Sequence, residues 1–360
     1  MSTRATRQGR QQGRQQGRLR RMTVVVMAAL AVATTGMLAM PTARAASTDK
    51  LTIGYSAWPG WLPLAVADKA GIFQKNGLDV NLKYFADYVS SLDAMAAGKL
   101  DANTQTLNDT LAAVAGGSKQ SIIAVNDNSA GNAAIICDDS IKTIADLKGK
   151  TIAAEEGVVD HFLLLQGLAK EGLTQDDIDF RGVLTADAAA SFESGQFDCV
   201  GVFAPFTLQA LKRPNSHVLF SSKEFPGAIP DHIVVSQKMV AKDPKVAQKI
   251  VNAWYDTLAY IQANPEKANK IMADKAELST ADYADLANGT KIFTVDEALA
   301  AFQPGTDSTS LQYMAKQINP FLVKSGLTKK QASLKNLFAP QFTQAYLDAH
   351  SSTTTTASSS

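Results

Sequence analysis

The sequence predicts an α/β protein with largely parallel sheets flanked by helices, followed by a helical C-terminal region. From Leu51 to about Val235, strand-like apolar runs alternate with helical patterns, which is typical of strand–helix–strand units. After Pro244 the pattern is almost purely helical. A composition of 46% hydrophobic and 19% charged residues over 360 positions excludes a disordered, collagen-like or polytopic membrane protein.

The individual elements follow from the apolar runs and from the glycines that come after helix ends. Strands are predicted at Leu51–Tyr55, Asp79–Tyr84, Ser121–Val125, Ala133–Asp138, Thr151–Ala154, Phe180–Leu184, Asp198–Phe203 and His217–Phe220. Helices are predicted at Pro63–Ala70, Val89–Ala97, Asn108–Ala115, Asp160–Glu171, Ala186–Ser194, Pro244–Asn264, Pro265–Ala273, Thr280–Asn288, Thr294–Phe302 and Ser308–Ser325. The Ser/Thr tail Ser351–Ser360 buries no apolar surface and is expected to be disordered.

The first 45 residues differ from the rest of the chain in charge. They hold eight of the 35 basic residues and none of the 34 acidic ones, which leaves a net charge of −7 on residues 46–360. So acidic a body argues against nucleic-acid binding. The apolar stretch Met22–Met40, followed by Ala43-Arg44-Ala45, indicates a cleaved signal peptide in residues 1–45 rather than a membrane anchor. Without a cysteine at the cleavage site, a periplasmic protein with no lipid anchor is expected.

The sequence has two cysteines, Cys137 and Cys199. In an exported protein they can form a disulfide, but both lie in apolar strand-like runs where buried free thiols are an equal alternative. There is no Cys-x-x-Cys motif and no histidine cluster, so neither a metal nor a cofactor is expected.

Acidic and aromatic residues gather where predicted strands give way to helices, and ligands of open α/β sheets bind at such positions. The candidate ligand-binding residues are Trp58, Trp61, Asp87, Tyr88, Asp109, Asp127, Glu155, His161 and Asp231. Each acid taken alone is explained equally well as a helix cap, and each tryptophan as a core anchor. Several acids in one cleft, with no Arg or Lys, indicate a cationic ligand or a strong hydrogen-bond donor, because an anion needs basic side chains or bare amides.

No sequence motif indicates catalysis. Gly-x-Ser-x-Gly, Ser-x-x-Lys, His-Glu-x-x-His and the phosphate-binding loop are all missing, and no Gly-x-Gly-x-x-Gly follows the first strand. The sequence therefore predicts a protein that is not an enzyme.

Several segments resemble the periplasmic substrate-binding proteins of ATP-driven (ABC) importers, in the nitrate/taurine/alkanesulfonate class. The matching segments are Ile53-Gly-Tyr55, Pro63-Leu-Ala-Val-Ala67, Gly71-Ile-Phe73, Gly77-Leu-Asp-Val80, Ala97-Gly-Lys-Leu-Asp101, Ile144-Ala-Asp-Leu-Lys-Gly-Lys-Thr151, Gly195-Gln-Phe-Asp198 and Phe203-Ala-Pro205. The resemblance covers about residues 50–260.

A narrower resemblance is to the subgroup associated with urea carboxylase and guanidine metabolism. It is carried by Trp58-Pro-Gly-Trp61, Asp87-Tyr88-Val-Ser-Ser-Leu-Asp93, Asn126-Asp-Asn-Ser129 with Gly131-Asn132, and Glu155 with Asp160-His161. The chain departs from that pattern at five positions: Asp87 and Asp160 replace Glu, Phe203 replaces Trp, Glu156 replaces an apolar residue and Ala204 replaces a polar one.

The resemblance implies a two-lobed periplasmic binding protein of type II-like architecture, with two crossing hinge segments. Lobe I is expected at 46–128 plus 232–350 and lobe II at 129–231. Ligand contacts to both lobes close them, and the membrane permease and ATPase subunits of an importer read the closed form. A monomer is expected.

The leading hypothesis from the sequence is a receptor for a small nitrogen-rich solute in nitrogen uptake, guanidinium first and urea second. Asp87, Asp109 and Glu155 are the expected edge acceptors, with Asp127 and Asp231 as weaker candidates. Trp58 and Trp61 are the expected walls, and His161 the expected hydrogen-bond partner from lobe II. The alternatives are a receptor for taurine, alkanesulfonate or nitrate, and an enzyme similar to the thiamine-pyrimidine synthases. Of the cysteine-rich motif of those synthases, the matching region has only Cys199.

Overall fold

The computed structural model describes residues 48–356. The predicted signal peptide, its cleavage site and the last residues of the predicted tail lie outside the described residues. Within the described range, no helix has both the length and the apolar character needed to cross a membrane.

Two sheets account for the eleven strands of the described range. The strands are β1 (Asp49–Tyr55), β2 (Leu78–Tyr84), β3 (Ala102–Thr106), β4 (Gln120–Ser129), β5 (Ala133–Asp138), β6 (Thr151–Ala154), β7 (Asp179–Gly182), β8 (Cys199–Phe203), β9 (Ser216–Ser221), β10 (Pro230–Ser236) and β11 (Thr290–Ile292). One sheet has the order β11-β4-β10-β3-β1-β2, and the other has the order β7-β6-β8-β5-β9.

Helices cover the faces of both sheets, and several of them pack on one another at the C-terminal end of the chain. They are α1 (Pro63–Lys69), α2 (Ile72–Lys75), α3 (Tyr88–Ala96), α4 (Leu107–Ala115), α5 (Val159–Lys170), α6 (Thr185–Glu193), α7 (Phe206–Ala210), α8 (Gln237–Lys242), α9 (Pro244–Ala263), α10 (Pro265–Ala276), α11 (Thr280–Ala287), α12 (Val295–Phe302), α13 (Leu311–Lys324) and α14 (Gln341–Thr356).

Both sheets are mixed, which corrects the prediction of largely parallel sheets. β1 is parallel to β2 and β3, and β6 is parallel to β7 and β8, as strand–helix–strand units require. β5 and β10, however, are antiparallel to the strands on both of their sides. Each of these two is the first strand after the chain passes from one sheet to the other, so each enters its new sheet against the local direction.

The chain passes between the sheets twice, once between β4 and β5 and once between β9 and β10. The two passages are hydrogen-bonded to each other, because the hydroxyls of Ser129 and Ser222 lie 2.8 Å apart and the Gly131 amide donates to the Ser222 hydroxyl at 2.8 Å. Asn132 then binds the Thr290 hydroxyl at 2.8 Å. The start of the second sheet is thereby fixed to the first.

A disulfide joins Cys137 and Cys199, which stand directly opposite each other on β5 and β8. Their Cα atoms are 4.1 Å apart, and neither residue is exposed. Of the two alternatives that the sequence left open, the structure has the disulfide.

Three strands were missed by the sequence prediction: β3, β10 and β11. β3 (Ala102–Thr106) contains no large apolar residue, yet all five of its residues are buried.

The C-terminal tail also differs from expectation, since α14 continues to Thr356. Buried residues such as Tyr346 hold the earlier turns of this helix in place. Adding residues to an existing helix costs little free energy, because each added residue gains a backbone hydrogen bond.

Candidate functional site

A small cavity lies between the two sheets, at the edge where β3 and β8 end and β10 begins. The residues that line the cavity come from elements of both sheets, so the cavity would open if the two sheets moved apart. The lining residues are Trp58, Trp61, Tyr88, Thr106, Ala133, Val159, Phe203, Ile229 and Asp231. The cavity has a volume of about 10 Å³, which is room for roughly one water molecule. A larger ligand therefore enters only if the sheets move apart.

Aromatic rings form most of the cavity wall and meet across the two sheets. The rings of Trp61 and Tyr88 lie 5.1 Å apart, and the ring of Phe203 meets Tyr88 edge-on at 6.3 Å. Tyr88 begins α3 on the first sheet and Phe203 ends β8 in the second. The Thr106 amide donates to the Tyr88 hydroxyl at 3.0 Å, which fixes the ring. The wall is aromatic, and the face of any one ring suits a cation.

Asp231 supplies the one charged group among the lining residues that the structure describes. Its side chain is fully buried, and neither carboxyl oxygen has a hydrogen-bond partner among the described residues. Burial first, and then the neighbouring Asp127, raise the pKa of Asp231 well above its ordinary value. A buried carboxyl without partners is costly, so this group is the clearest sign of a polar ligand.

Asp127 lies directly across from Asp231 in the antiparallel pairing of β4 and β10. Its Oδ1 accepts a hydrogen bond from the Trp58 indole at 2.8 Å, while its Oδ2 is buried without a partner among residues 48–356. Burial raises the pKa of Asp127 to about 7. A Cβ on Gly60 would collide with this carboxyl, so only glycine allows the tryptophan turn to approach so closely.

Asp109 is a third buried carboxyl near the cavity, in the first turn of α4. Its oxygens accept from the Thr106 hydroxyl at 2.5 Å and from the Asn108 amide at 2.7 Å. Burial raises its pKa to about 7 in spite of these hydrogen bonds. Its protein partners leave Asp109 a smaller role than Asp231 in holding a ligand.

Glu155 follows β6 and connects the two sheets. Its Oε1 accepts from the Val89 amide of α3 at 3.2 Å, and its Oε2 accepts from the Thr185 hydroxyl of α6 at 2.5 Å. Asp160 lies beside it and accepts from the Glu155 amide at 3.3 Å. Burial is the main cause that raises the pKa of both carboxyls. Both Glu155 oxygens are thus bound to protein donors.

The acids of the site interact as a continuous series. Asp127 raises the pKa of Asp231, and so does Asp109; Glu155 in turn raises the pKa of both Asp109 and Asp160. No lysine or arginine of the described range lines the cavity or hydrogen-bonds to these carboxyls. In the same range, no group of three or more His, Cys, Asp or Glu residues could hold a metal ion.

Five of the nine candidate residues do not line the cavity: Asp109, Asp127 and Glu155, described above, and Asp87 and His161. Asp87 caps α3, where its carboxyl oxygens accept from the amide and the hydroxyl of Ser90 at 2.8 and 2.7 Å. His161 accepts from the Gly157 amide, pairs with Gln175 at 2.7 Å and stacks on Phe180. The hydrogen-bonding atoms of Asp87 and His161 already have protein partners, as those of Glu155 and Asp109 do, so a ligand contact at Asp87 or His161 stays a prediction.

The structure also brings in residues that the sequence did not single out as ligand-binding. Val159, Phe203 and Thr106 line the cavity, and Thr185 holds Glu155 and contacts Asp160 at 3.3 Å. Asp160 lies in the same strand-to-helix junction after β6 as Glu155. That position in the sequence could have identified Asp160 as a site residue. Thr185 gave no signal, because a threonine at the start of a helix is ordinary.

A larger groove, of about 690 Å³, lies away from these acids. It is bordered by α9, α10, α11 and β11, with Tyr255, Met272 and Tyr283 among its walls. All of its walls belong to elements on the side of the six-stranded sheet, so closure between the sheets would not enclose a ligand there.

Comparison with known proteins gives a family and a fold. The family model described as "NMT1/THI5 like" matches residues 58–268. A putative binding protein of Brucella melitensis is 26% identical over 305 residues, covering 83% of this chain and 94% of the relative. A putative aliphatic sulfonates-binding protein of Escherichia coli K12 is 25% identical over 281 residues, covering 75% of this chain and 87% of the relative.

Among solved structures, the alkanesulfonate-binding protein SsuA from Xanthomonas axonopodis pv. citri, bound to MOPS, superposes with a TM-score of 0.69. It is 20% identical, and the match covers 82% of this chain and all of that one. This likeness confirms the α/β fold with two lobes. Lobe I is hereafter the part built on the six-stranded sheet, and lobe II is the part built on the five-stranded sheet.

Proposed function

The chain belongs to the NMT1/THI5-like family, and on that premise we propose that it is the solute-binding protein of an ATP-driven importer. Its solute is a small nitrogen-rich compound, guanidinium first and urea second, captured between lobe I and lobe II. The protein acts in the periplasm, delivers its solute to a membrane permease with an ATPase, and has no catalytic role. The relatives that are putative binding proteins, and the fold shared with SsuA, support this class.

The observation that carries the choice of solute is the Asp231 carboxyl. It is fully buried and lines the cavity with both oxygens free of hydrogen-bond partners among the described residues. A ligand with paired N–H donors would satisfy both oxygens at once. Asp127 and Asp109 raise the pKa of Asp231, and a cation favours the ionised form of such a carboxyl cluster over a neutral or anionic ligand.

The aromatic walls support the same choice. Guanidinium presents donors around its edge and a flat, weakly hydrated face, so Trp61 and Tyr88 would cover the face while Asp231 accepts from the edge. Urea has the same planar shape with one acceptor in addition. The Trp61 indole nitrogen lies near Asp231 but makes no hydrogen bond of acceptable geometry with any described residue, and it would donate to a urea oxygen.

The second candidate is a sulfonate, which is favoured by the similarity to a putative aliphatic sulfonates-binding protein and to the alkanesulfonate-binding protein SsuA. No basic residue of the described range lines this cavity, and the buried Asp231 carboxyl in its wall disfavours an anion, although helices begin at Tyr88 and Val159 of the lining. We therefore place it second.

The capture mechanism follows from the two passages between the lobes. We propose that they form the hinge, with lobe I at 46–128 plus 232–350 and lobe II at 129–231. Because the cavity has room for about one water molecule, solute enters the separated lobes, and its contacts with both then favour closure.

The test is isothermal titration of residues 46–350 with guanidinium, urea, taurine and nitrate. We expect guanidinium to bind most tightly, and Asp231→Asn to weaken it by at least roughly tenfold, because a charge-assisted hydrogen-bond pair is lost. Asp93→Asn is the matched control, since Asp93 is an exposed residue of α3 and the charge change is the same. Tight taurine or nitrate binding that survives Asp231→Asn would overturn the choice of solute.

A further inference from the structure

The Glu155 carboxylate lies where two helices from different lobes begin. α3 belongs to lobe I and α6 to lobe II, and each helix gives Glu155 a donor from its first turn. Helix N-termini attract anions, because their first amides have no partner within the helix and carry the positive end of the helix dipole. The Glu155 carboxylate therefore occupies a position that could otherwise attract an anion from solution.

The capping pattern supports this view. α6 has no side-chain cap of its own, and Glu155 accepts from the Thr185 amide at 3.4 Å as well as from its hydroxyl. α3 is capped by Asp87 through the Ser90 amide, which leaves the Val89 amide for Glu155. One carboxylate thus completes the amides of a helix in each lobe.

The surroundings of Glu155 keep a second anion out. Asp87 and Asp160 carry carboxyls close enough to interact with Glu155, and the Asp160 Oδ1 is buried with no partner among the described residues. The two amides and the Thr185 hydroxyl are already used. A sulfonate or nitrate at this position would displace Glu155 or face its charge directly.

We propose that Glu155 is a built-in counter-anion that latches lobe I to lobe II and excludes anionic solutes from the helix N-termini. This role assumes the solute-binding function proposed above and names its selectivity determinant. Without the Glu155 carboxylate, the two lobes are joined less tightly, and the Val89 and Thr185 amides lose their hydrogen-bond acceptor. A small carboxylate or sulfonate from solution then has a site.

The latch is measured directly as a distance between spin labels on α3 and α6. Ala96→Cys and Ala190→Cys place labels at exposed positions of the two helices, and within the described range the native cysteines are both in the disulfide. In this background we expect Glu155→Ala to lengthen and broaden the distance distribution. Acetate or formate, at constant ionic strength, restores the shorter distance. Glu156→Ala is the control, because Glu156 is the exposed neighbour with the same charge.

Anion selectivity is measured by titration with formate and methanesulfonate. Glu155→Ala binds them at least roughly tenfold more tightly than the native protein does, since it frees charge-assisted donors. Glu155→Gln, which keeps the side-chain volume, serves if the alanine variant fails to fold, and it shows an intermediate distance. An unchanged label distance in both variants, or native binding of sulfonate with Glu155 in place, overturns the proposal.

The two proposals fail separately. A lengthened distance rescued by acetate supports the latch even where the native protein binds no guanidinium, and that result rejects only the choice of solute. Tight guanidinium binding together with an unchanged label distance in Glu155→Ala rejects only the latch.

Discussion

The indole nitrogen of Trp58 donates to Oδ1 of Asp127 at 2.8 Å, although 69 positions separate the two residues in the chain. This hydrogen bond ties the tryptophan turn to β4 behind the cavity. It also fixes the Asp127 carboxyl, whose Oδ2 is buried without a hydrogen-bond partner among the described residues. The tryptophan thus orients this carboxyl, and it does so without a charge of its own.

Replacing Trp58 by phenylalanine removes this donor and keeps most of the ring. We expect a loss of about 1–3 kcal/mol in the free energy of unfolding, because a buried carboxyl is left without its partner. Trp254→Phe is the matched control, since the Trp254 indole nitrogen is buried with no hydrogen-bond partner in the described range. Urea denaturation of the two variants measures the difference, and equal losses would contradict the role given to Trp58.

Gly60→Ala tests the close approach of the tryptophan turn to Asp127. The added methyl group collides with the carboxyl, and we expect a loss of about 1–3 kcal/mol from overpacking. In the Asp127→Ala background the same substitution costs much less, because its obstacle is gone. A double-mutant cycle by urea denaturation measures this coupling, and strictly additive losses would refute it.

We expect the affinity for guanidinium to increase with pH, because the buried carboxyls must lose protons to bind a cation. Burial raises the pKa of Asp127 and Asp109 to about 7, and that of Asp231 well above its ordinary value, so all three hold protons in mildly acidic solution. A bound cation favours the ionised forms and releases protons. Affinity should therefore rise from pH 5.5 to 8, by up to about tenfold per pH unit for each proton released.

Titration calorimetry in buffers of different ionisation enthalpy counts the released protons. Proton uptake on binding, with affinity rising toward low pH, would instead indicate an anion held by protonated carboxyls.

Protein stability has its own dependence on pH at Asp127. Its pKa is 3.8 when unfolded and about 7 when folded, so the folded chain binds the proton more tightly. This contribution to stability is complete below pH 3.8 and is lost as the pH rises through about 7. His232 acts in the opposite direction between pH 3 and 6.5, because burial lowers its pKa to about 3.

Asp127→Asn isolates the carboxyl, since His232 is the same in both proteins. The amide oxygen still accepts from Trp58, so we expect the variant to gain thermal stability over the native protein at pH 8 and to lose that gain at pH 4. Differential scanning calorimetry at both pH values measures the two gaps. A gap that does not change with pH would show that Asp127 does not titrate in this range.

The disulfide contributes to stability through the chain that it closes. Cys137 and Cys199 are 62 positions apart, and their loss in the double alanine variant should cost roughly 2–4 kcal/mol of unfolding free energy. Native protein unfolded without reductant should not react with a thiol reagent, and should react once reductant is added. Reaction without reductant would show that the bond does not form.

Strand–helix alternation predicted most of the fold, because buried strands and amphipathic helices leave patterns in the sequence. β3 left no such pattern, and in β10 the apolar run Ile233-Val234-Val235 is short and follows three residues that do not extend it. β3 is buried through polar side chains such as Asn103, which binds Ser91, and β10 begins with a proline that is typical of a turn. Both strands are central in the six-stranded sheet, where neighbouring strands pair with their backbone.

The candidate residues were proposed from the sequence, and the structure shows which of them have hydrogen-bonding atoms without a protein partner. Asp231 was a weaker candidate because its strand was not recognised, whereas Glu155 and Asp87 were preferred as edge acceptors. The structure gives those two protein donors and leaves Asp231 without any in the described range. Sequence position shows which residues follow a strand, but the orientation of a side chain decides whether its oxygens are already used.

The two passages between the sheets are joined by the hydroxyl pair of Ser129 and Ser222 and by the hydrogen bond from the Ser129 amide to the Ile229 carbonyl. If the lobes rotate about these contacts, as proposed above, the change in separation of two surface positions grows with their distance from them. A pair of dyes on the rims farthest from Ser222 would therefore change its energy transfer most when solute is captured, and a pair beside Ser222 would hardly respond. With the hinge proposed above, a dye pair on the far rims would report solute capture as a change in energy transfer.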